Sequence, residues 1–367
     1  MKIIRFNFII HLLVPFFFLF FSSCDSAVSE IMPDGSFETF GLRQKKMDPY
    51  VTKSRKPLPD WFRKFFKPHQ EDSCNLTEFY YDEFEIQTLS GNELPYESDD
   101  STMVERQAYD DDSVPIIKFH RIYRYHPVYI AEYTLDLIDV YTTTKDTSCI
   151  PVIMHNLNKL VTLGVQVDSS LFYPYDFDFR MHYDYRDMMF APWYSGMAQG
   201  LVLSLFCRVY EFTGRQEFLD YSKKIFNSYL RLKGDGFQPW VSCVDQHGNL
   251  WLEEYPKDIP CFTLNGMIFA IYGIYDYYRI TKDETAERYL KGSITTIKKN
   301  VERFRNENDI TYYCVKHEIK APEYQDLHIN QLLMLEKMTN DSYFGEVAKA
   351  MRTDINNYNL EKSKASQ

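Results

Sequence analysis

Four times in this 367-residue chain an apolar stretch with three-and-four spacing runs into a short turn built on threonine. Asp139-Val140-Tyr141 leads to Thr144-Lys145-Asp146, and Arg208-Val209-Tyr210 leads to Thr213-Gly214-Arg215. Tyr275-Asp276-Tyr277 leads to Thr281-Lys282-Asp283, and Met334-Leu335 leads to Thr339-Asn340-Asp341. A second periodic stretch follows each turn, as in Phe218, Tyr221, Ile225 and Tyr229. This spacing predicts helix, tight turn, antiparallel helix, because residues three and four apart share a helix face. Four hairpins of that kind stack into a solenoid or close into an α/α toroid, complete or partial. The expected fold class is therefore mainly α. Two long insertions, 165–192 and 233–262, interrupt the series and read as short β-hairpins and loops that build one functional face.

The chain divides into an export signal over 1–23, a tether and small irregular or β segment over 24–112, the helical domain over 113–358 and a tail over 359–367. Lys2 and Arg5 precede an apolar run from Phe6 to Phe21, the pattern of a secretory signal, and the run is short for a spanning helix. Ser22-Ser23-Cys24 resembles a lipoprotein processing site, so the expected location is the cell envelope or outside, with a lipid anchor at Cys24 or plain cleavage nearby. Residues 25–68 are basic and Pro-containing, and the sign flips between Glu93 and Asp112. Phe79 to Leu89 between them has the composition of one or two strands. Asp110-Asp111-Asp112 is a weak Ca2+ signal. Asn75-Leu76-Thr77 and Asn340-Asp341-Ser342 fit the glycosylation sequon.

Composition limits the function classes. A formal net charge of -11 and the lack of a long basic stripe disfavour nucleic-acid binding. Apart from Cys24 there are six cysteines, widely spaced and without a C-x-x-C pair, so they read as disulfides or as buried thiols rather than as a zinc or redox motif. The 29 tyrosines are the unusual number, since each hydroxyl needs water or a partner.

Five separated motifs carry the chemistry. They are Trp193-Tyr194-Ser195-Gly196-Met197-Ala198-Gln199-Gly200, Glu253-Glu254-Tyr255-Pro256, Leu264-Asn265-Gly266, Tyr313-Cys314-Val315-Lys316-His317, and Tyr324 through Leu332. In this order they resemble the C-terminal catalytic domain of D-glucuronyl C5-epimerases, over roughly residues 120–352. The resemblance implies inversion of D-glucuronate to L-iduronate in a heparosan- or heparan-like polysaccharide, with no cofactor and no metal. It places the family's acid/base carboxylate on Glu254 and its acid/base tyrosine on Tyr324. Its carboxylate-binding residues fall on Tyr255, Tyr313 and Lys316. A homodimer is implied by analogy with the animal enzymes.

The residues support the same chemistry without the name. Inverting C5 requires removing a proton α to a carboxylate, which loads a second negative charge onto that group, so donors or cations must face it. A base is needed on one ring face and a proton donor on the other. Glu254 suits the first role and Tyr324 the second, with Lys316, Tyr255 and Tyr313 around the carboxylate. His317, His328, Trp193, Tyr194, Gln199, Asn265, Asn330 and Arg180 are the further candidates for substrate contact. Plainer readings stand beside these: Glu253-Glu254 as a solvated turn, Tyr313 and Tyr324 as half-buried packing, Trp193-Tyr194 as a core plug and Asn265-Gly266 as a helix start, while metal ligation by His317 and His328 ranks behind substrate contact because no short ligand pair supports it. Arg180, Arg186, Lys316, His317 and His328 are the groups available for a basic cleft. Lys316 stands where the family commonly has arginine, and Gln325 where the animal enzymes have histidine. A polysaccharide lyase shares the first proton abstraction, and a non-catalytic glycan-binding lipoprotein keeps the fold without turnover.

Overall fold

The computed structural model describes residues 73–89, 91–96, 108–119, 121–181 and 188–365. The expected signal, Cys24, the expected tether, most of the acidic stretch and Arg186 lie outside the described residues.

Among the described residues eight α-helices form four antiparallel hairpins. They are α1 (Pro127–Thr144) with α2 (Cys149–Leu163), α3 (Gly196–Thr213) with α4 (Gln216–Phe226), α5 (Leu264–Thr281) with α6 (Glu284–Asn300), and α7 (Gln325–Thr339) with α8 (Ser342–Ala365). The first helix of each pair packs on the first of the next, α1 on α3, α3 on α5 and α5 on α7, while each second helix covers its own partner. The result is a partial α/α toroid: an inner layer of α1, α3, α5 and α7 and an outer layer of α2, α4, α6 and α8. The inner helices are buried almost all round, with Gly196–Val209 and Leu264–Tyr277 each an unbroken buried run. The outer helices α4 and α6 are amphipathic, as a covering layer must be. Where α3 crosses α5, a Cβ on Gly273 would lie 2.3 Å from the Gly200 carbonyl oxygen, so only glycine permits that approach.

The four threonine turns are one structure repeated. Each threonine hydroxyl donates to the carbonyl four residues back: Thr144 to Val140 (2.6 Å), Thr213 to Val209 (2.7 Å), Thr281 to Tyr277 (2.8 Å) and Thr339 to Leu335 (2.7 Å). The same oxygens accept the N–H two residues on, from Asp146, Arg215, Asp283 and Asp341. Between them Lys145, Gly214, Lys282 and Asn340 adopt left-handed backbone with φ of 61, 68, 53 and 54°. That residue's N–H closes onto the helix, which is how a helix stops and reverses within a few residues.

The β-structure is local. β1 (Ala108–Tyr109), β2 (Pro115–Phe119) and β3 (Ile122–Arg124) form a three-stranded antiparallel sheet ahead of α1. The first insertion holds the pairs β4 (Val165–Val167) with β5 (Ser170–Phe172) and β6 (Phe179–Arg180) with β7 (Met188–Met189). The second holds β8 (Ser242–Val244) paired with β9 (Leu250–Leu252).

Several expectations are corrected. Phe79 to Leu89 is not a strand but an extended strap over the helices, because helix surfaces offer no strand edge. Its N–H groups instead find single partners: Asp82 on the Thr295 hydroxyl, Gln87 on the Met338 carbonyl and Leu89 on the Tyr275 hydroxyl. A Cys74–Cys243 disulfide ties the start of the strap to β8, while Cys149, Cys207, Cys261 and Cys314 are buried thiols outside any disulfide. Asp110 is a turn acceptor rather than an ion ligand: its carboxylate takes the N–H groups of Asp112 and Val114 and the Tyr125 hydroxyl. The expected tail is helix as far as Ala365.

Candidate active site

Glu254 is held by its neighbour. The Glu253 backbone accepts from Gly196 N–H (2.7 Å) and donates to the Val241 carbonyl (2.7 Å), which fixes the residue between α3 and the second insertion. Its carboxylate accepts the N–H groups of Cys261 (3.1 Å) and Phe262 (3.2 Å) and so closes the loop that follows β9. With Glu253 committed to structure, the chain turns Glu254 towards a cleft. There its side chain packs on the first turn of α5. A Cβ on Gly266 would fall 2.2 Å from Glu254 Oε2 and 2.6 Å from its Cβ, so glycine at this position is what gives the carboxylate its place.

Three phenols surround the carboxylate. The Tyr313 hydroxyl donates towards both Glu254 oxygens at 3.0 Å and lies 3.1 Å from the Tyr255 hydroxyl. The Tyr324 ring packs against Tyr313 at 4.9 Å between centroids. Their loops are pinned together. Leu264 N–H donates to the Tyr313 carbonyl, Val315 N–H to Phe262 and Lys316 N–H to Cys261. Burial pushes the Glu254 carboxyl up to about 7, against the opposing pull of the Tyr255 and Tyr313 hydroxyls. Burial likewise pushes Glu253 up to about 8, moderated by its two backbone donors. Burial and the Glu254 charge hold the Tyr255 and Tyr313 phenols well above their ordinary value, so both are neutral donors. The group is thus a carboxyl poised near neutrality among phenols, as proton transfer at carbon requires.

The cleft encloses about 1020 Å3, part of it open to solvent, and Glu254, Tyr255 and Tyr324 lie in its wall. An aromatic collar completes it. Trp193 stacks on Tyr175 at 3.9 Å and 6°, its indole N–H donating to the Phe177 carbonyl, and Phe179 stacks on both Trp193 and Tyr255 at 5.9 Å. Further lining comes from β2, from α1 and from the residue that caps it: Lys118 and Phe119, Tyr129 and Glu132, and His126, with Phe119 and His126 packed on the collar at Phe177 (4.5 Å) and Tyr175 (4.8 Å). Among the described residues Lys118 is the one lysine or arginine in the lining.

Of the residues expected from sequence, Glu254, Tyr255, Tyr313, Tyr324 and Trp193 converge here. Others do not reach the cleft. Gln199 is fully buried and structural: its amide donates to the Leu171 carbonyl and the Ser228 hydroxyl and accepts from Tyr173 N–H. His328 is fully buried with Nδ1 on the Thr311 hydroxyl (2.9 Å), and its ring stacks under Tyr324. Asn265 is fully buried on α5, where its backbone carbonyl accepts from the Gln331 amide. His317 Nδ1 sits 3.2 Å from the Cys314 sulfur, and Tyr194 packs edge-on to Phe172. Lys316, Asn330 and Arg180 are half-buried and outside the lining. Gln325, at the position of departure from the animal enzymes, bridges Thr311 N–H and the Met351 carbonyl. Sequence reasoning missed His126, Tyr129, Glu132, Tyr175 and Lys118. The available signal was the His126-Pro127 pair ahead of a periodic stretch, which marks a helix start but says nothing about a cleft. Among the described residues no group of three or more His, Cys, Asp or Glu side chains is arranged to hold a metal ion.

A sequence model of the family described as "D-glucuronyl C5-epimerase C-terminus" matches residues 167–353. The D-glucuronyl C5-epimerase of Caenorhabditis elegans is 30% identical over 92 residues, which cover 25% of this chain and 14% of that protein. An uncharacterized protein of Methanocaldococcus jannaschii is 25% identical over 184 residues, covering 48% of this chain and 56% of that one. The chain thus spans well under two thirds of the length of either relative. Among solved structures, the cellobiose 2-epimerase of Bacillus thermoamylovorans superposes with a TM-score of 0.46 at 13% identity, covering 67% of this chain and 66% of that one.

Proposed function

This chain belongs to the D-glucuronyl C5-epimerase C-terminal family, and we propose that it inverts C5 of a D-glucuronate residue in an anionic polysaccharide of the heparosan type. The observation that carries the reading is the Glu254 carboxyl, raised to about 7 and hydrogen-bonded by Tyr313, lining the same cleft as Tyr255 and Tyr324. Glu254 removes the C5 proton. The C–H electron pair moves into the C5–C6 bond and the substrate carboxylate becomes an enediolate, whose charge the Tyr255 and Tyr313 hydroxyls lower in energy. Tyr324 then delivers its hydroxyl proton to C5 from the opposite face. Solvent re-protonates Tyr324 and Glu254 loses its proton to water, which restores the starting enzyme and installs a solvent hydrogen at C5.

The aromatic collar gives a pyranose ring an apolar wall on which to settle, and Lys118 offers the polymer's negative charge a partner at the mouth. Export, with or without a lipid anchor at Cys24, is part of the same proposal. The signal-like N-terminus and the Cys74–Cys243 disulfide support it.

The test is deuterium incorporation at C5 in D2O across a panel of uronate polysaccharides, read by NMR. The expected result is exchange without chain cleavage on at least one polymer, abolished by Glu254→Gln and by Tyr324→Phe. A new ultraviolet-absorbing double bond would identify a lyase instead. Exchange that survives both substitutions at the wild-type rate would remove these two residues from the reaction.

A further inference from the structure

His126 occupies an uncommon place for a histidine. It is the N-cap of α1, in extended backbone at φ -123° and ψ 111°, and Pro127 takes the first helical position. Its Nδ1 accepts the N–H of Tyr129 at 3.3 Å. An imidazole nitrogen that accepts an N–H carries no proton, so the neutral ring holds its one proton on Nε2. The ring is clamped by two cleft residues, the edge of Tyr175 at 4.8 Å and the face of Phe177 at 6.2 Å, and it lines the same cleft as Glu254 and Tyr324. Tyr129 and Glu132 follow at three-residue spacing and extend that lining along α1.

Two forces keep the ring uncharged. Burial pushes its pKa down to about 3, and the positive end of the α1 dipole opposes a second proton. The cleft therefore contains a hydrogen-bond donor whose tautomer is fixed by the cap bond and whose ring is held against a second proton. Such a donor differs in kind from a cation. A cation binds the ground-state carboxylate strongly, whereas a neutral N–H gains most when charge accumulates on its acceptor, which is where a rate gain arises.

We propose that His126 donates its Nε2–H to the uronate carboxylate and strengthens that bond as the enediolate forms, a catalytic role that rests on the epimerase reading above. The α1 N-cap then does two jobs with one ring, since Nδ1 starts the helix and Nε2 serves the substrate.

The two jobs are separable by substitution. Asparagine is a preferred N-cap whose side-chain oxygen takes over the Tyr129 N–H, but it is too short to place a donor where Nε2 stands. His126→Asn should keep the wild-type melting temperature within a degree or two while kcat for C5 exchange falls by about 10²–10³, the usual loss for one donor to a developing oxyanion. KM should change by less than about threefold. His126→Ala should lose the same activity and also melt lower, because the cap goes as well. Wild-type kcat in His126→Asn overturns the proposal and leaves the residue a cap alone. Imidazole 15N NMR of the wild-type protein with a heparosan oligosaccharide separates this result from the fate of the epimerase reading. If the His126 Nε2 resonance moves on binding while no polymer exchanges, the contact stands and the reaction falls. If the oligosaccharide binds, by shifts elsewhere, and Nε2 stays still, the contact falls whatever the reaction. No binding and no exchange overturns both.

Discussion

Glu254→Gln should make the protein more stable as the pH rises. Glu254 is 4% exposed, and burial raises its carboxyl from the usual 4.5 to about 7. A group whose pKa is higher folded than unfolded binds protons more tightly in the folded state. Its contribution to stability is then complete below about 4.5 and is lost as the pH climbs through about 7. Integrated at about 1.4 kcal/mol per pH unit, the loss is about 3 kcal/mol, an order-of-magnitude figure. Glutamine has the shape of the protonated acid, keeps an oxygen for the Tyr313 hydroxyl and never ionises. The two proteins should therefore melt together at pH 4 and separate as the pH rises, with the variant above by roughly 6–12 °C at pH 8. Glu253 titrates in both and cancels to first order. Losing its like-charged neighbour in the variant adds slightly in the same direction. The assay is a series of thermal melts from pH 4 to 8.5 by near-ultraviolet circular dichroism. Parallel curves across that range would show that the carboxylate pays no desolvation penalty in the fold, and the assignment of Glu254 as a base tuned by burial would fail with it.

Two further outcomes test how the carboxylate is held. Tyr313→Phe removes the donor that favours ionised Glu254, so the acidic limb of the kcat/KM profile for C5 exchange should move up by about one pH unit from near 7; an unmoved limb would contradict that hydrogen bond. Gly266→Ala puts a methyl group within 2.2 Å of Glu254 Oε2, and displacing the carboxylate by about an ångström should lower kcat about 10²-fold with an unchanged far-ultraviolet spectrum; wild-type kcat would show that the cradle does not position the base.

The hairpin series was legible because each turn is a local device. Thr144, Thr213, Thr281 and Thr339 each bond back one helical turn and forward two residues, and those contacts need nothing from the rest of the chain. The convergence of Glu254, Tyr313 and Tyr324 is of another kind, since they lie on separate loops. It was legible only through the resemblance of the motifs, because periodicity does not report which loops meet.

Polar residues on the inner helices show where such reading breaks down. Gln199 and Asn265 sit in otherwise apolar runs, and a polar group in such a run is either catalytic or tied to a backbone that needs it. Gln199 belongs to the second case: the first insertion brings the Leu171 carbonyl and the Tyr173 N–H against α3, and the amide satisfies both. His126 inverts the pattern. It stands at a helix start, where a side-chain acceptor is ordinary capping, and only the second nitrogen faces a use that capping does not explain. What separates the two cases is bond counting: when the partners of a buried polar side chain are all groups of its own fold, as the Leu171 carbonyl, the Tyr173 N–H and the Ser228 hydroxyl are for Gln199, it is architecture. A cleft-lining ring with one nitrogen committed to its own helix has a donor to spare for a ligand.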